Sequence, residues 1–375
     1  MTRYRGTTVL IAVGVLAFGG GAFLPRLLAF GRPSATGIVQ TLQTLHEKKG
    51  IHRGPHEGVT QSTSTSSAPA MSGVSALPTI PPPSSTPSSS PFPTRREALE
   101  RQRVVVETGT TGEQYRIDAP VADTTYDLRS FTSTAYPFGD SFPLAFGPES
   151  PGVRTVVIGG TVIGQQPRRL SWEDVHDPFG GGGLRMIGVD SLVSYDLRAN
   201  NVNDGFMPLP PPDDLNGARF LIDGCHMTWI RDDAVEDDTE MSGTIRNCLF
   251  DGINTGVSIG QSTQNADAVV RIKHSVFLFE PMRNDRAADG FGHQTLFKQK
   301  PGGRVRLSND VVCYPENPMS PSRLRIFPPG HYSNVRIVLG SDFVGRYPGP
   351  RPAGVTVTRD WSACETARAG WLRRH

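Results

Sequence analysis

The 375-residue chain carries 38 Lys and Arg against 36 Asp and Glu, a net charge of +2 with the basic residues scattered. That balance excludes a strong electrostatic footprint for nucleic acid, and no nucleic-acid partner is expected. Glycine (41) and proline (32) are too abundant for a helical bundle. Four cysteines are too few for a disulfide scaffold, and no CxxC pair offers a zinc or thioredoxin-like site.

The chain begins with Arg3 and Arg5, followed by residues 6–25 without a charged side chain; their core reads TTVLIAVGVLAFGGGAFL. An uncharged run of about 20 residues is the length a helix needs to cross a hydrocarbon core. The two arginines place the short N-terminal side in the cytoplasm by the positive-inside bias, and Arg26 weakens the asymmetry. A cleaved signal peptide is the alternative, but Pro25 and Arg26 sit where a small-x-small cleavage site would be wanted. Residues 1–30 are therefore expected to be a cytoplasmic tip and single-pass anchor in a cell membrane. The rest is then extracytoplasmic, or secreted if the segment is removed.

Residues 31–95 form a connecting region. Ile38, Leu42 and Leu45 have helical spacing and suggest a brief juxtamembrane helix. From about residue 60 to 94 the composition turns to Ser, Thr, Pro and Ala, ending in TIPPPSSTPSSSPFPT. Such a segment buries too little apolar surface to offset its ordering entropy, and its prolines extend it into a disordered stalk. A short helix is expected over 95–103, at the entrance to a folded domain of residues 96–375.

This domain has short β-rich runs punctuated by Gly, Asn and Asp rather than helical periodicity. Four runs align as repeats: FLIDGCHM from Phe220, TIRNCLF from Thr244, RIKHSVF from Arg271 and RLSNDVV from Arg306. One column holds Ile222, Ile245, Ile272 and Leu307. Two residues on come Gly224, Asn247, His274 and Asn309, then Cys225, Cys248, Ser275 and Asp310. Met227, Phe250, Phe277 and Val312 follow two further on. Weaker copies lie around Ile187 and Ile337. The apolar columns would stack in a core, and the Gly/Asn/His column tolerates a left-handed backbone that bends the chain between two strands. This pattern predicts an all-β parallel β-helix. A β-sandwich would instead need hairpin signals every 8–12 residues, and these are scarce.

The phrase TIRNCLFDGINTGVSIG, residues 244–260, resembles one coil of the right-handed parallel β-helix proteins, the pectin-lyase-like solenoids that include pectate lyases and polygalacturonases. The resemblance extends over about residues 153–344. The polygalacturonase pattern of Asn-Thr-Asp, Asp-Asp, Gly-His-Gly and Arg-Ile-Lys is matched only in part. Asp232–Asp233 or Asp237–Asp238, Arg271–Ile272–Lys273 and Gly292–His293 are present. The Gly-His follows the Arg-Ile-Lys instead of preceding it, and the Asn-Thr-Asp is missing. That mechanism is not carried over.

The densest polar group is IRDDAVEDD, residues 230–238. Its crowded carboxylates repel one another and require cations, basic partners or open water. Asp232, Asp233, Glu236, Asp237 and Asp238 could hold Ca²⁺ through hard oxygen ligands. Alternatively Asp233, Glu236 and Asp237 could supply the paired acids of glycoside hydrolysis, and a solvated acidic turn remains the plain alternative. His293, in the longest loop between coils, is a further catalytic candidate, whereas His226 reads as packed or exposed. Arg231, Arg246, Arg271, Lys273 and Lys298 are candidate contacts for an acidic polysaccharide. Cys225 and Cys248 fall in one column, as neighbouring thiols or a disulfide. Two function classes stay open: binding or cleavage of an envelope or extracellular polysaccharide, by hydrolysis or a Ca²⁺-assisted lyase route, and a non-catalytic scaffold.

Overall fold

The computed structural model describes residues 90–135, 141–176, 181–211, 218–239, 241–260, 267–283, 291–292, 295–299, 303–317, 324 and 327–375. All of them fall in one compact unit spanning 84–375. The expected anchor, the juxtamembrane helix and most of the stalk lie outside the described residues. Among the described residues no helix is long and apolar enough to cross a membrane.

Among the described residues twenty strands make one sheet, and its pairings are parallel. β9 (Arg219–Asp223) pairs with β11 (Ser242–Arg246), which pairs with β13 (Val269–Lys273), and that with β18 (Arg304–Ser308). The next strand of each coil stacks in the same order: β10 (His226–Asp237), β12 (Leu249–Ile259), β14 (Val276–Phe279), β19 (Val311–Glu316) and β21 (Val335–Asp342). The one antiparallel pair among the described residues is β15 (Met282–Arg283) with β16 (Phe291–Gly292). A sandwich would be built on antiparallel hairpins, so its pairing is not the one found. The all-parallel arrangement fits a β-helix. It runs from β1 (Arg103–Thr111) to β22 (Val355–Thr358), beyond the 153–344 stretch that the repeats marked.

The sequence columns are the observed register. Ile222, Ile245, Ile272 and Leu307 are successive partners, as are Met227, Phe250, Phe277 and Val312. All these side chains are buried, and the rings of Phe250 and Phe277 stack at 4.6 Å. Each fully buried side chain contributes about 1.5–3 kcal/mol. Between the two strands of a coil, Gly224, Asn247, His274 and Asn309 have φ of 71°, 52°, 56° and 59°. One left-handed residue turns the chain and resets which side chains face inward. Asn tolerates that backbone, and Asn247 also donates from Nδ2 to Asp223 Oδ1 at 2.8 Å. Asn247→Val should therefore cost about 2 kcal/mol, and Asn247→Gly clearly less, in chemical unfolding. Equal losses would show that the hydrogen bond, not the backbone, sets the cost.

The third column is polar at one end. Cys225 and Cys248 are buried free thiols. Cys248 N–H donates to Ser275 Oγ at 3.3 Å, and Ser275 N–H to Asp310 Oδ1 at 2.9 Å. The disulfide joins the other two cysteines, Cys313 and Cys364, fastening a C-terminal helix, Ser362–Leu372, to β19. At the entrance the helix is shorter than expected, Arg95–Leu99, closed by a Thr94–Glu97 capping box. Just before it, Phe92 packs on Val156, Ile158 and Val193, and the Tyr195 hydroxyl donates to Pro93 O. The last residues assigned to the stalk thus contact the body.

Candidate functional site

The acidic run is not a turn. Residues 226–237 are one strand, β10, in which Asp233 pairs with Thr255, Val235 with Val257 and Asp237 with Ile259. Val235 is also flanked by Phe206, and Val257 by Phe297. This apolar column carries the strand through, and it draws Asp232, Asp233 and Asp237 out of water to 3%, 0% and 0% exposure.

One coil earlier, Asp204 lies between β7 (Arg198–Val202) and β8 (Phe206–Leu209). The backbone ties the two segments together. Asp232 N–H donates to Asn203 O at 2.9 Å, Gly205 N–H to Asp233 O at 2.9 Å, and Asp233 N–H to Asp204 Oδ1 at 3.2 Å. Carboxylate oxygens of Asp204, Asp232 and Asp233 thereby come within 4.8 Å of one another, all buried. Lys298, two coils on in β17 (Thr295–Gln299), places Nζ 2.9 Å from Asp233 Oδ2 and 3.4 Å from Asp232 Oδ1. The other oxygen of Asp232 lies 3.7 Å from Nε2 of His176, at the end of a short helix, Trp172–His176. The Trp172 and His176 rings stack at 4.1 Å. Lys298 and His176 keep 27% and 42% of their side-chain surface exposed, so the cluster meets solvent on their side.

The electrostatics separate the groups. Burial, reinforced by Glu236, Asp232 and Asp233, holds the Asp204 carboxyl well above the usual carboxylate range. Burial and Asp232 do the same to Asp233, outweighing the pull of Lys298. Burial works against the Lys298 charge, but Asp233 and Asp232 overcome it and the ammonium is held above its ordinary value. Three carboxyls thus share one cation, and burial raises the proton affinity of two of them.

Several sequence candidates are gathered here and others are not. Asp232, Asp233 and Lys298 meet, and Glu236 is near enough to raise both Asp204 and Asp233. Asp237 instead accepts Met241 N–H at 2.9 Å, and Asp238 accepts the Ser258 hydroxyl at 2.5 Å. The five-carboxylate Ca²⁺ set is thus not assembled. Where three carboxylates do converge, an ammonium already sits at contact distance. That donor set suits Lys298 better than Ca²⁺, which takes six to eight oxygens. Arg231 is 1% exposed and donates to Leu170 O at 2.8 Å and Pro167 O at 3.5 Å. Burial brings its pKa down to about 10. It braces the segment leading to Trp172 and His176 rather than offering itself to a substrate.

Arg246 pairs with Asp223 at 2.7 Å, and Arg271 stands in register between Thr244 and Arg306. Among the described residues no hydrogen bond or ion pair joins Arg246, Arg271 or Lys273 to the carboxyl cluster. The groove of acids facing these bases is therefore not formed by direct contact. His293 lies outside the described residues. His226 sits 4.0 Å from Asp251 and its ring 5.2 Å from that of Trp371.

Sequence reasoning missed Asp204, His176 and Trp229. Asp204 stands in NVNDG without repeat character, and only the stacking of β7 against β10 reveals it. Trp229 has φ 55°, an outlier for a bulky residue, three positions before Asp232, and Arg168 lies 4.6 Å over its ring. Such strain gathers at functional sites. No protein-family model, curated protein or solved structure matches the chain. No family membership is shown, and the site stands on its own geometry.

Proposed function

We propose that the chain is a right-handed parallel β-helix of pectin-lyase-like build that binds and hydrolyses an acidic polysaccharide outside the cytoplasm, held there by its N-terminal segment. The observation that carries the reading is the Asp204, Asp232 and Asp233 cluster, in which burial raises the proton affinity of Asp204 and Asp233 while Lys298 lies 2.9 Å from Asp233 and 3.4 Å from Asp232. Glycoside hydrolysis needs two protonation states together. A protonated carboxyl gives its proton to the leaving glycosidic oxygen, while a carboxylate takes one from the attacking water or attacks directly. Lys298 fixes Asp232 and Asp233, and its ammonium suits a carboxylate-bearing sugar. Parallel crossovers favour the right hand. The Cys313–Cys364 disulfide supports an oxidising compartment.

A non-catalytic envelope scaffold is the second reading. It is favoured by the near-complete burial of the three carboxylates, which would then serve as an internal polar staple.

The test incubates the full chain with polygalacturonate and with neutral dextran and measures new reducing ends. Release is expected from polygalacturonate. It should fall by about 10²–10⁴ in Asp233→Asn, measured at a temperature where that variant is still folded. The rate should decline as pH rises through the acid's raised pKa, because the proton to be donated is then lost. No release from either polymer would favour the scaffold.

A further inference from the structure

A second concave surface lies away from the carboxyl cluster, a cleft of about 270 Å³ whose walls bring together Arg95, Arg129, Arg198, Arg374, His375 and Asp196. It is built from successive coils. Arg198 begins β7 and is in parallel register with Thr161 of β5 (Gly152–Ile163). Arg129 comes from β3 (Thr124–Ser133), one coil before, and Gly224 is the bend of the coil after. Neighbouring coils are about 4.8 Å apart, so Arg129 and Arg198 stand two coils apart with the uncharged Thr161 between them. The two helices flanking the solenoid close it: Arg95 opens the first, and Arg374 and His375 follow the last.

The charges in the cleft do not cancel. Arg129 is held by Asp127 at 2.8 and 2.6 Å, and Arg95 reaches Asp196 at 2.6 Å. Among the described residues Arg198 donates to a main-chain carboxylate oxygen of His375, at 3.3 Å. The Arg374 guanidinium makes no ion pair or hydrogen bond among the described residues. Among the described residues four guanidiniums therefore face three carboxylates, those of Asp127, Asp196 and the His375 main chain, and burial raises the Asp196 carboxyl above its usual range.

A second feature keeps the cleft open. The bend column reads Asn247, His274 and Asn309 in the following coils, but Gly224 here. A Cβ at Gly224 would come within 2.6 Å of Asp196 Oδ1 and 3.4 Å of the His375 ring. Asn is accepted at this backbone one coil away, at φ 52°. The left-handed bend alone does not require glycine, and a side chain there would have to displace the Asp196 carboxylate.

We infer that this cleft is an anion-binding site for the carboxylate groups of an acidic glycan, separate from the Asp204, Asp232 and Asp233 cluster. Its choice of glycan rests on the polysaccharide reading. The spread of Arg95, Arg129, Arg198 and Arg374 around a polar, glycine-lined floor suits a polymer with repeated carboxylates. Apart from the His375 imidazole no lining residue is aromatic, so the stacking platform that single-stranded nucleic acid uses is absent from its walls.

The experiment measures binding to the full chain, in nonionic detergent, by calorimetry with polygalacturonate, galacturonate monomer, inorganic phosphate, neutral dextran and a single-stranded oligonucleotide. Polygalacturonate should bind tightest and weaken as salt rises, dextran should not bind, and phosphate should compete weakly. Arg198→Ala, and separately a chain ending at Arg373, should each weaken polygalacturonate about tenfold. Gly224→Asn should do the same by filling the space, and the shortened chain keeps the test open if Gly224→Asn fails to fold. Asp233→Asn should keep the Arg198-dependent part of the affinity even where it abolishes hydrolysis, so the two sites fail independently. Equal binding of dextran and polygalacturonate, preference for the oligonucleotide, or wild-type affinity in both Arg198→Ala and the shortened chain would overturn the assignment.

Discussion

Replacing Lys298 with Met should destabilise the protein by about 3–5 kcal/mol at pH 8, the cost of leaving buried carboxylates without their cation. Its Nζ is 2.9 Å from Asp233, which has no exposed surface, and 3.4 Å from Asp232. Both Asp204 and Asp233 are already held above the usual carboxylate range by burial, and loss of the ammonium pushes them higher. A carboxyl with a raised folded pKa binds more protons in the folded state than in the unfolded one. Its contribution is full below the unfolded value, about 4, and is lost as pH rises through the folded value. The deficit of Lys298→Met should thus shrink toward pH 4.5 and grow toward pH 8. Adding Asp233→Asn removes one orphaned charge, so the double variant should be more stable at pH 8 than Lys298→Met alone. Unfolding midpoints at the two pH values read this out. An equal deficit at both would mean that Lys298 contributes packing and not charge.

The same cluster shows why the site was only partly legible in the sequence. Asp232, Asp233 and Lys298 were visible as charged residues, because a run of carboxylates stands out in any chain. Their burial was not visible, since Val235, between Asp233 and Asp237, is too short an apolar signal to separate a core strand from an acidic turn. Asp204 was hidden for a different reason. Its partnership with Asp233 is set by coil-to-coil register, and the coil that holds it bends at Asp196 where the later coils have Gly, Asn or His. The fold was easier to read from Phe220 to Val312, where bends use Gly, Asn and His. In earlier coils that bend falls on Asp196, and a further left-handed column holds Asp123, Arg154 and Asp190. That column is supported by charge, with Arg154 bridging Asp123 at 2.6 Å and Asp190 at 2.8 Å. Composition gives no hint of such a ladder, and the parallel pairing before residue 153 went unseen. The disulfide was equally out of reach. Cys225 and Cys248 share a column but stay as thiols, whereas Cys364 belongs to a helix with no counterpart in the repeat.

That helix carries the second large effect. Trp371→Ala should cost about 3–5 kcal/mol of global stability with the disulfide intact. The indole is 1% exposed and packs on Leu249 and Val276 of two successive coils. Its Nε1–H donates to Asn247 O at 2.5 Å, the carbonyl of a left-handed bend that has few other partners to choose from. The His226 and His375 rings lie against it at 5.2 and 4.4 Å. Truncation removes the contacts and the hydrogen bond together and opens a cavity that the stiff sheet beneath cannot close. The Cys313–Cys364 bond, 51 residues apart in sequence, holds only the first turn of the helix. By chain entropy it contributes about 4 kcal/mol, and it does so through the unfolded chain, not through the tryptophan's contacts. Cys364→Ser should therefore add nearly independently to Trp371→Ala. Loss of Trp371 should also release Arg374 and His375 from the cleft and weaken polygalacturonate binding, while Cys364→Ser, with the indole still seated, should leave binding nearly intact. Chemical unfolding and calorimetry of the two single variants and the double variant separate these effects. A loss below about 1 kcal/mol in Trp371→Ala would mean that the helix opens on its own and that the solenoid does not depend on it.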